Sequence, residues 1–245
     1  MKILVVGGGG REHAIIRALK KSPDCGDIWC APGNGGIGYD ATCKNIPATD
    51  VDAMVAFAKA EAFDYVVVAQ DDPLALGMVD ALAKVGIPAF GPDAAAARIE
   101  ASKVFSKDLM KKYGIPTAGY ETFDDPAKVM DYIRSKGKYP VVIKADGLAL
   151  GKGVLICQNE QEAADGVKEI MLDKKFGASG NHVVVEEFLT GPEVSVLSFT
   201  DGKVVKPMVS SMDHKRANDH DTGLNTGGMG TVAPNPYYTP AIAAE

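Results

Sequence analysis

The sequence predicts an α/β protein in which a parallel-sheet domain is followed by smaller α+β subdomains. Three observations predict this arrangement. Short apolar runs alternate with helical periodicity over residues 1–97. Further along, strand-like runs flank a glycine-lysine loop within 141–156, and two more flank Asp201-Gly202. The first pattern is typical of strand-helix-strand units, and the other two are typical of antiparallel hairpins.

The first 97 residues alternate between strand and helix. Runs typical of buried strands lie at residues 3–6, 28–30 and 65–68. Helical periodicity is found at 51–58 and at 74–84. This alternation predicts a parallel sheet covered by helices on both faces. Two prolines and two glycines at 86–93 mark a last short strand, so we place a first, Rossmann-like domain at 1–97.

The rest of the chain divides into three parts. A helix is predicted over 94–113, and residues 98–119 form a linker helix and the start of a new core. A small α+β subdomain occupies 120–189. Its predicted strands are 141–144, 154–157 and 183–188, and its predicted helices are 126–136 and 160–172. Residues 190–245 begin a last, incomplete subdomain with the Asp201-Gly202 hairpin.

The segment 213–230, DHKRANDHDTGLNTGGMG, is polar and glycine-rich and has no periodicity of either kind. We interpret it as a binding loop or a disordered stretch, and we expect residues 218–230 to be mobile. Pro240 and the alanines after it indicate the first turn of a helix.

Composition indicates a folded protein with small-molecule partners. The 245 residues are 46% hydrophobic, and the formal net charge of −6 argues against a broad nucleic-acid-binding surface. No apolar run approaches the ~18 residues of a membrane span. We therefore expect neither nucleic acid nor membrane as a partner. The cysteines form no CxxC pair, and we interpret them as reduced thiols of a cytoplasmic protein; they are Cys25, Cys30, Cys43 and Cys157.

The run GGGGREH at residues 7–13 follows an apolar strand. A strand-to-helix turn of this kind can offer backbone N–H groups to an anion. As a dinucleotide fingerprint the run fails, because Glu12 occupies the third glycine position and no acidic residue stands at the distance that a ribose requires. An NAD-dependent oxidoreductase is therefore disfavoured. A tight turn that merely packs helix on strand remains the alternative, and we leave His13 out of any catalytic set.

Two later stretches carry candidate nucleotide chemistry. VVIKADGLALGKGVLI at 141–156 places Lys144 at a strand end, followed by a glycine loop suited to closing over a polyphosphate. It is not a P-loop, since no Ser or Thr follows the lysine, and it could be only a mobile turn. VVVEEFLTGPEVSV at 183–196 ends a strand with two acids, which taken alone are typical of a solvated surface.

The order of these features resembles the ATP-grasp superfamily, in which ATP lies between two α+β subdomains. The resemblance implies that Lys103 and Lys144 contact phosphates, that the flap at 147–153 closes over them, and that 186–189 contact adenine. Glu193 would accept hydrogen bonds from ribose. The implied ATP-binding residues are Lys103, Lys144, Gly147, Gly151, Lys152, Gly153, Glu186, Glu187, Phe188, Leu189 and Glu193.

GGGGREHA, APGNGG and above all DHKRANDHDTGLNTGGMG together resemble the phosphoribosylamine-glycine ligase family, also called glycinamide ribonucleotide synthetases, over essentially the whole chain. The resemblance implies an ATP-dependent carbon-nitrogen ligase of purine synthesis that joins glycine to 5-phosphoribosylamine through a glycyl phosphate. It implies ATP and Mg²⁺ (or Mn²⁺) as cofactors and no obligate protein partner. The implied substrate-binding residues are Gly8, Gly9, Gly10, Arg11, Asp213, His214, Lys215, Arg216, Thr222, Gly223, Asn225, Thr226, Gly227, Gly228 and Met229.

Two departures from the family pattern qualify these expectations. The chain reads AQDDPL at 69–74 where the family usually has Gly-Pro-Glu-Ala-Pro-Leu, which puts substrate contacts there in doubt. Family members are also much longer, and the resemblance places their metal ligands beyond residue 245. We therefore expect no metal ligands in this chain, a truncated last subdomain and little activity of the fragment alone. The alternative is a non-catalytic nucleotide-binding module derived from such a ligase.

Overall fold

The computed structural model describes residues 1–148 and 153–244. The chain forms two compact units, Met1–Ile115 and Pro116–Glu245. Each unit has its own sheet and its own hydrophobic core. No helix among the described residues is long and apolar enough to cross a membrane.

The first unit is built on a five-stranded parallel sheet with the strand order β3-β2-β1-β4-β5. Its strands are β1 (Ile3–Gly7), β2 (Ile28–Pro32), β3 (Thr42–Cys43), β4 (Tyr65–Val68) and β5 (Ala89–Phe90). All five residues of the central strand β1 are buried, as is typical of a parallel strand covered on both faces. The predicted parallel sheet is confirmed, and its strand order reverses between β1 and β4.

Helices cover both faces of this sheet. The helices of the unit are α1 (Gly10–Leu19), α2 (Val51–Ala60), α3 (Asp71–Ala75), α4 (Met78–Lys84), α5 (Ala94–Ala101) and α6 (Lys103–Tyr113). Successive residues of β1 point to opposite faces. Leu4 packs in a cluster with Met54 of α2 and Leu82 of α4, whereas Val5 packs in a second cluster with Ile16 of α1.

Two helices predicted as continuous are divided, so those predictions were wrong in extent. The stretch 74–84 is interrupted at Gly77, which has a left-handed φ of 82°. The stretch 94–113 is interrupted at Ser102, whose extended backbone lets its side chain accept a hydrogen bond from the Phe105 N–H. Glycine and serine in these positions favour caps over helix interior.

The second unit contains a four-stranded antiparallel sheet with the order β6-β9-β7-β8. Its strands are β6 (Tyr120–Phe123), β7 (Val141–Ala145), β8 (Val154–Cys157) and β9 (Val183–Glu187). Two helices, α7 (Pro126–Lys136) and α8 (Glu160–Val167), pack their apolar residues against one face of it. The predicted helix 160–172 continues beyond α8 only as a π-helical turn, Lys168–Leu172.

The remainder of the second unit consists of two hairpins and a short helix. Its elements are β10 (Ser198–Thr200), β11 (Val205–Pro207), β12 (Met212–Asn218), β13 (Thr222–Val232) and α9 (Pro240–Ala244). The hairpin predicted at Asp201-Gly202 is confirmed. Backbone N–H groups of Val204 and Lys203 donate to Asp201 Oδ1 at 2.8 and 2.9 Å, and these bonds lower the pKa of Asp201.

The prediction of an irregular segment at 213–230 was wrong. β12 and β13 pair in antiparallel register across this segment, with register shifts on either side of Arg216. These irregularities break the alternation that a regular strand would show. Most of the hairpin's residues lie partly or fully in solvent, so no apolar face marks it in the sequence.

The core of the first unit gives a direct test of this packing. Leu4 is fully buried and Leu76 is 57% exposed. We expect Leu4→Ala to lower the free energy of unfolding by about 2–5 kcal/mol, because it removes buried methyl groups and leaves a cavity. Leu76→Ala should change it by no more than about 0.5 kcal/mol. Urea denaturation of the two variants measures both, and equal effects would contradict the assigned core.

Candidate functional site

The first candidate site lies in the first unit, where the carboxyl ends of β1, β2 and β4 meet at the reversal of strand order. Ligands of open α/β sheets bind at such a switch point. The Asn34 amide donates to the Gly8 carbonyl at 2.7 Å, which joins the loops after β1 and β2. The Arg11 guanidinium donates to the Ala69 carbonyl, which joins α1 to the loop after β4. The predicted substrate residues Gly8 and Arg11 are therefore linked to both neighbouring loops.

The glycine run has close neighbours within its own unit. A Cβ on Gly7 would lie 2.7 Å from Glu12 Cδ, and Gly7 has a φ of +133°. A Cβ on Gly8 would lie 2.7 Å from the Gly33 carbonyl oxygen, and one on Gly9 would lie 2.9 Å from Glu12 Oε2. Gly10 alone among these four has open space around it. The fold itself therefore requires glycine at positions 7 and 8, whereas at Gly9 only the end of the Glu12 side chain is close.

Glu12 is the residue that organises this turn, and the sequence analysis treated it only as a missing glycine. Its side chain is 1% exposed, and its Oε2 accepts a hydrogen bond from the Gly9 N–H at 2.7 Å. Gly9 caps α1, so Glu12 is the third helical residue and makes the glutamate half of a capping box; Gly9 has no side chain to make the other half. The spacing of an N-cap and a glutamate three residues later was the sequence signal that could have identified it.

An ion-pair cluster lies beside this turn. Asp40 accepts hydrogen bonds from Lys20 Nζ at 2.7 Å and from His13 Nε2 at 2.8 Å. These two contacts lower the pKa of Asp40 to about 2. His13 thus has a structural partner.

The second candidate site lies on the four-stranded sheet of the second unit. Lys144 on β7 forms an ion pair with Glu186 on β9. Val142 is the register partner of Glu186, so the two charged side chains are diagonal neighbours on one face of the sheet. Glu186 is 5% exposed and Lys144 is 29% exposed. Lys144, which was predicted to contact phosphate, and Glu186, which was predicted to contact adenine, are therefore direct partners.

The glycine flap is described only at its ends. Gly147 follows β7, and the Gly153 carbonyl accepts a hydrogen bond from the Ala145 N–H at 2.8 Å. Gly151 and Lys152 lie outside the described residues. Lys103 is the first residue of α6 in the first unit.

The acids and apolar residues at the end of β9 have different surroundings. Glu187 Oε1 accepts from the Gly119 N–H at 2.9 Å, and the Glu187 N–H donates to the Gly119 carbonyl at 3.0 Å. This carboxylate therefore fixes the start of β6. Phe188 and Leu189 follow β9 and are 37% and 64% exposed, which leaves both available for apolar contact.

The hairpin β12–β13 links one predicted ATP residue with several predicted substrate residues. Lys215 Nζ contacts Glu193 Oε1 and lies 3.7 Å from Asp213 Oδ2. The Thr226 hydroxyl donates to the Lys215 carbonyl at 2.8 Å, and the Gly228 N–H donates to that hydroxyl at 3.0 Å. The ammonium group of Lys215 thus lies near two carboxylates, those of Glu193 and Asp213.

The other predicted residues of the hairpin are distributed along it. Arg216 donates to the Gly223 carbonyl at 2.7 Å, and the Thr222 hydroxyl donates to the Asp219 carbonyl at 2.8 Å. His214, Gly227 and Met229 are exposed or partly exposed on the hairpin. The backbone of Asn225 pairs with Arg216, and its side chain lies outside the described part. Within residues 1–148 and 153–244, no group of three or more His, Cys, Asp or Glu side chains could hold a metal ion.

A parallel-sheet domain followed by an antiparallel sheet with a strand-borne lysine and strand-end acids defines the class as ATP-grasp proteins. Two sequence models of one family match consecutive parts of the chain. The N domain of phosphoribosylglycinamide synthetase matches residues 1–100, and the ATP-grasp (A) domain of the same family matches residues 101–245. The chain belongs to the phosphoribosylglycinamide synthetase family.

Relatives with the name phosphoribosylamine–glycine ligase support this assignment. The protein of Haemophilus influenzae is 46% identical over 244 residues, which are 99% of this chain and 57% of that protein. The protein of Fusobacterium nucleatum is 47% identical over 242 residues, which are again 99% of this chain and 57% of that protein. The chain therefore spans 57% of the length of these relatives.

Solved structures agree with the fold. The crystal structure of phosphoribosylamine–glycine ligase from Thermotoga maritima matches with a TM-score of 0.78 and 33% identity, over 94% of this chain and 55% of that one. The biotin carboxylase domain of Hydrogenobacter thermophilus 2-oxoglutarate carboxylase, crystallised with MgADP, matches with a TM-score of 0.72 over 88% of this chain and 50% of that one. At 18% identity, the second match shows the fold alone.

Gly8 and Gly10 provide a matched test of the glycine turn. We expect Gly8→Ala to lower the free energy of unfolding by about 1–3 kcal/mol, since the new methyl group would overlap the Gly33 carbonyl. Gly10→Ala should leave stability unchanged or raise it by up to about 1 kcal/mol, because alanine suits a helix better than glycine. Urea denaturation distinguishes them, and a tolerated Gly8→Ala would contradict the packing.

The cluster around Asp40 predicts a pH dependence. Because its folded pKa is about 2, below the ordinary 3.8, the stability that its ionised form adds is present above about pH 4. That contribution is lost as the pH falls towards 2. We expect the stability difference between wild type and Asp40→Asn to shrink over this window, as measured by urea denaturation. In Lys20→Met the folded pKa of Asp40 should move back towards the ordinary 3.8, so the loss should be smaller and should be complete at a higher pH. An unchanged profile would contradict the pair.

Proposed function

We propose that the full-length protein is an ATP-dependent carbon-nitrogen ligase. It joins glycine to 5-phosphoribosylamine and yields glycinamide ribonucleotide in de novo purine biosynthesis in the cytoplasm. The observation that carries the proposal is the Lys144–Glu186 pair in the sheet of an ATP-grasp family member. The names of relatives that are 46% and 47% identical over almost the whole chain support the choice of substrates.

The proposed reaction has two steps. The glycine carboxylate attacks the γ-phosphorus of ATP, which gives glycyl phosphate and ADP. The sugar amine then attacks the acyl carbon, which forms the amide bond and releases phosphate. Both steps gather negative charge on phosphate oxygens, so they need fixed positive charge more than acid-base side chains.

Lys144 would supply part of this charge. Its partner Glu186 is almost completely buried, so the pair holds the ammonium group at a fixed place on the sheet before ATP arrives. Phe188 and Leu189 would pack on the adenine, and Lys103 would contact a phosphate. Mg²⁺ or Mn²⁺ would neutralise phosphate charge when bound.

Glycine and 5-phosphoribosylamine would bind to the hairpin β12–β13 and to the glycine turn after β1. Lys215 and Arg216 of the hairpin offer cationic donors for a carboxylate or a sugar phosphate. The turn at Gly8, Gly9, Gly10 and Arg11 would face the sugar at the switch point of the parallel sheet. We also propose the division into a substrate domain at 1–97, a linker at 98–119, a lid at 120–189 and the start of the second core at 190–245.

Calorimetric titration of this chain with Mg-ATP tests the nucleotide site. We expect Lys144→Met to weaken binding by about 10- to 100-fold, since a charge-assisted hydrogen bond is lost. Lys138→Met, which changes an exposed lysine of the same unit, should bind as wild type does. The double variant Lys144→Met/Glu186→Gln removes both charges of the buried pair and controls for a loss of folding. Wild-type affinity in that double variant would contradict the assignment.

The full-length protein tests the activity itself. Phosphate release should require ATP, glycine and 5-phosphoribosylamine together, with one phosphate released for each amide bond formed. Release without glycine, or an amide product with another amino acid in its place, would exclude the proposed ligation.

A further inference from the structure

One oxygen of Glu12 has no hydrogen-bond partner among the described residues. Oε2 is bound by the Gly9 N–H, whereas Oε1 is buried and accepts nothing. Burying a carboxylate oxygen without a donor costs free energy, so such an atom in a folded protein calls for an explanation. Water or a ligand can provide the missing donor.

The position of Glu12 favours a ligand. Glu12 lies in the first turn of the ten-residue helix α1, directly after β1 and at the point where the strand order reverses. Gln70 follows β4 on the other side of this point. The Cδ atoms of Glu12 and Gln70 lie 2.7 and 3.0 Å from the place that a Gly7 Cβ would occupy. A carboxylate and an amide thus converge where parallel sheets bind ligands.

The charge of Glu12 determines which chemical group fits. A helix N-terminus ordinarily attracts an anion. Here the carboxylate of Glu12 already occupies the Gly9 N–H, so a phosphate at Oε1 would meet negative charge at close range. A hydroxyl or an amine meets a free acceptor instead, and its hydrogen bond to an ionised oxygen is of the stronger kind.

We propose that Glu12 Oε1 accepts a hydrogen bond from a hydroxyl or amine of the sugar substrate in the crevice between β1 and β4. The proposal rests on the proposed function, since a phosphorylated amino sugar is the substrate class concerned. Gln70 is only partly buried, and the proposal requires its side chain to move aside so that the sugar reaches Oε1. The sugar phosphate binds away from Gly9.

Titration of the 245-residue chain with ribose 5-phosphate tests this. Ribose 5-phosphate carries the same ring hydroxyls as the substrate and has a hydroxyl in place of the amine. Glu12→Gln preserves the size of the side chain and the hydrogen bond from Gly9. We expect it to weaken binding at least about tenfold. Asp52→Asn, which changes an exposed acid in the first turn of α2, should bind as wild type does.

Three results would overturn the proposal. They are no binding by wild type, equal binding by wild type and Glu12→Gln, and an equal loss in Asp52→Asn. Urea denaturation of Glu12→Gln must give the wild-type midpoint; a tenfold loss of binding without a loss of stability then excludes a purely structural role. Equal binding would mean that water satisfies Oε1 inside the fold.

The result is distinguishable from a failure of the proposed function. The residues proposed to bind Mg-ATP do not include Glu12, so Glu12→Gln should leave Mg-ATP binding unchanged. Sugar binding that depends on Glu12 together with absent ligase activity would reject the reaction and retain the sugar site. Ligase activity together with sugar binding that Glu12→Gln does not weaken would retain the reaction and reject the proposed contact at Glu12.

Discussion

A carboxylate that is buried in a protein needs hydrogen-bond donors or a positive charge beside it, and this requirement shapes both units. Glu12 is 1% exposed and Glu186 is 5% exposed. Glu12 meets the requirement at Oε2 alone, with a backbone N–H, and the chain must bend tightly to bring that group to it. Glu186 meets it with Lys144 from the neighbouring strand. Each acid thereby fixes a segment of one of the two candidate sites.

The glycine run shows how such a constraint can imitate a ligand motif. Glycines after a first β-strand are commonly read as space for a pyrophosphate. In this unit the space at Gly7 and Gly9 is filled by Glu12, and the space at Gly8 is filled by the Gly33 carbonyl. The turn that packs helix on strand therefore accounts for most of the run. Gly10, where nothing approaches, is the position left open to a ligand.

Much of the fold was predictable because its signals are local. The strands β1, β4, β7 and β8 are continuous apolar runs, and α7 begins after Asp125 and ends before Gly137 with caps at both ends. The hairpin β12–β13 was not predictable from periodicity, because its bulges break the alternation of side chains. The divisions at Gly77 and Ser102 were missed because each residue is also tolerated within a helical pattern.

The site was predictable only to the extent that its residues lie in recognisable motifs. Lys144 and Glu186 could be named from their stretches, but their pairing depends on the register of β7 and β9, which the sequence does not state. Lys215 was predicted to bind substrate and Glu193 to bind ATP. Their contact could be recognised only from the folded hairpin. The role of Glu12 was missed because this residue was noted only as a mismatch to the third glycine of a dinucleotide fingerprint.

The pairs Lys144–Glu186 and Lys215–Glu193 differ in exposure to solvent. This difference determines how easily a substrate could separate the lysine from its glutamate. Glu186 is nearly inaccessible to water, so separating it from Lys144 leaves a buried charge. An ATP molecule bound as proposed would therefore contact the lysine without removing it from the acid. Glu193 and Lys215 are 45% and 44% exposed, so solvent screens their attraction and the pair is easily exchanged for another partner. Lys144 is therefore suited to a fixed electrostatic role. Lys215 is suited to release its acid when an anionic substrate enters.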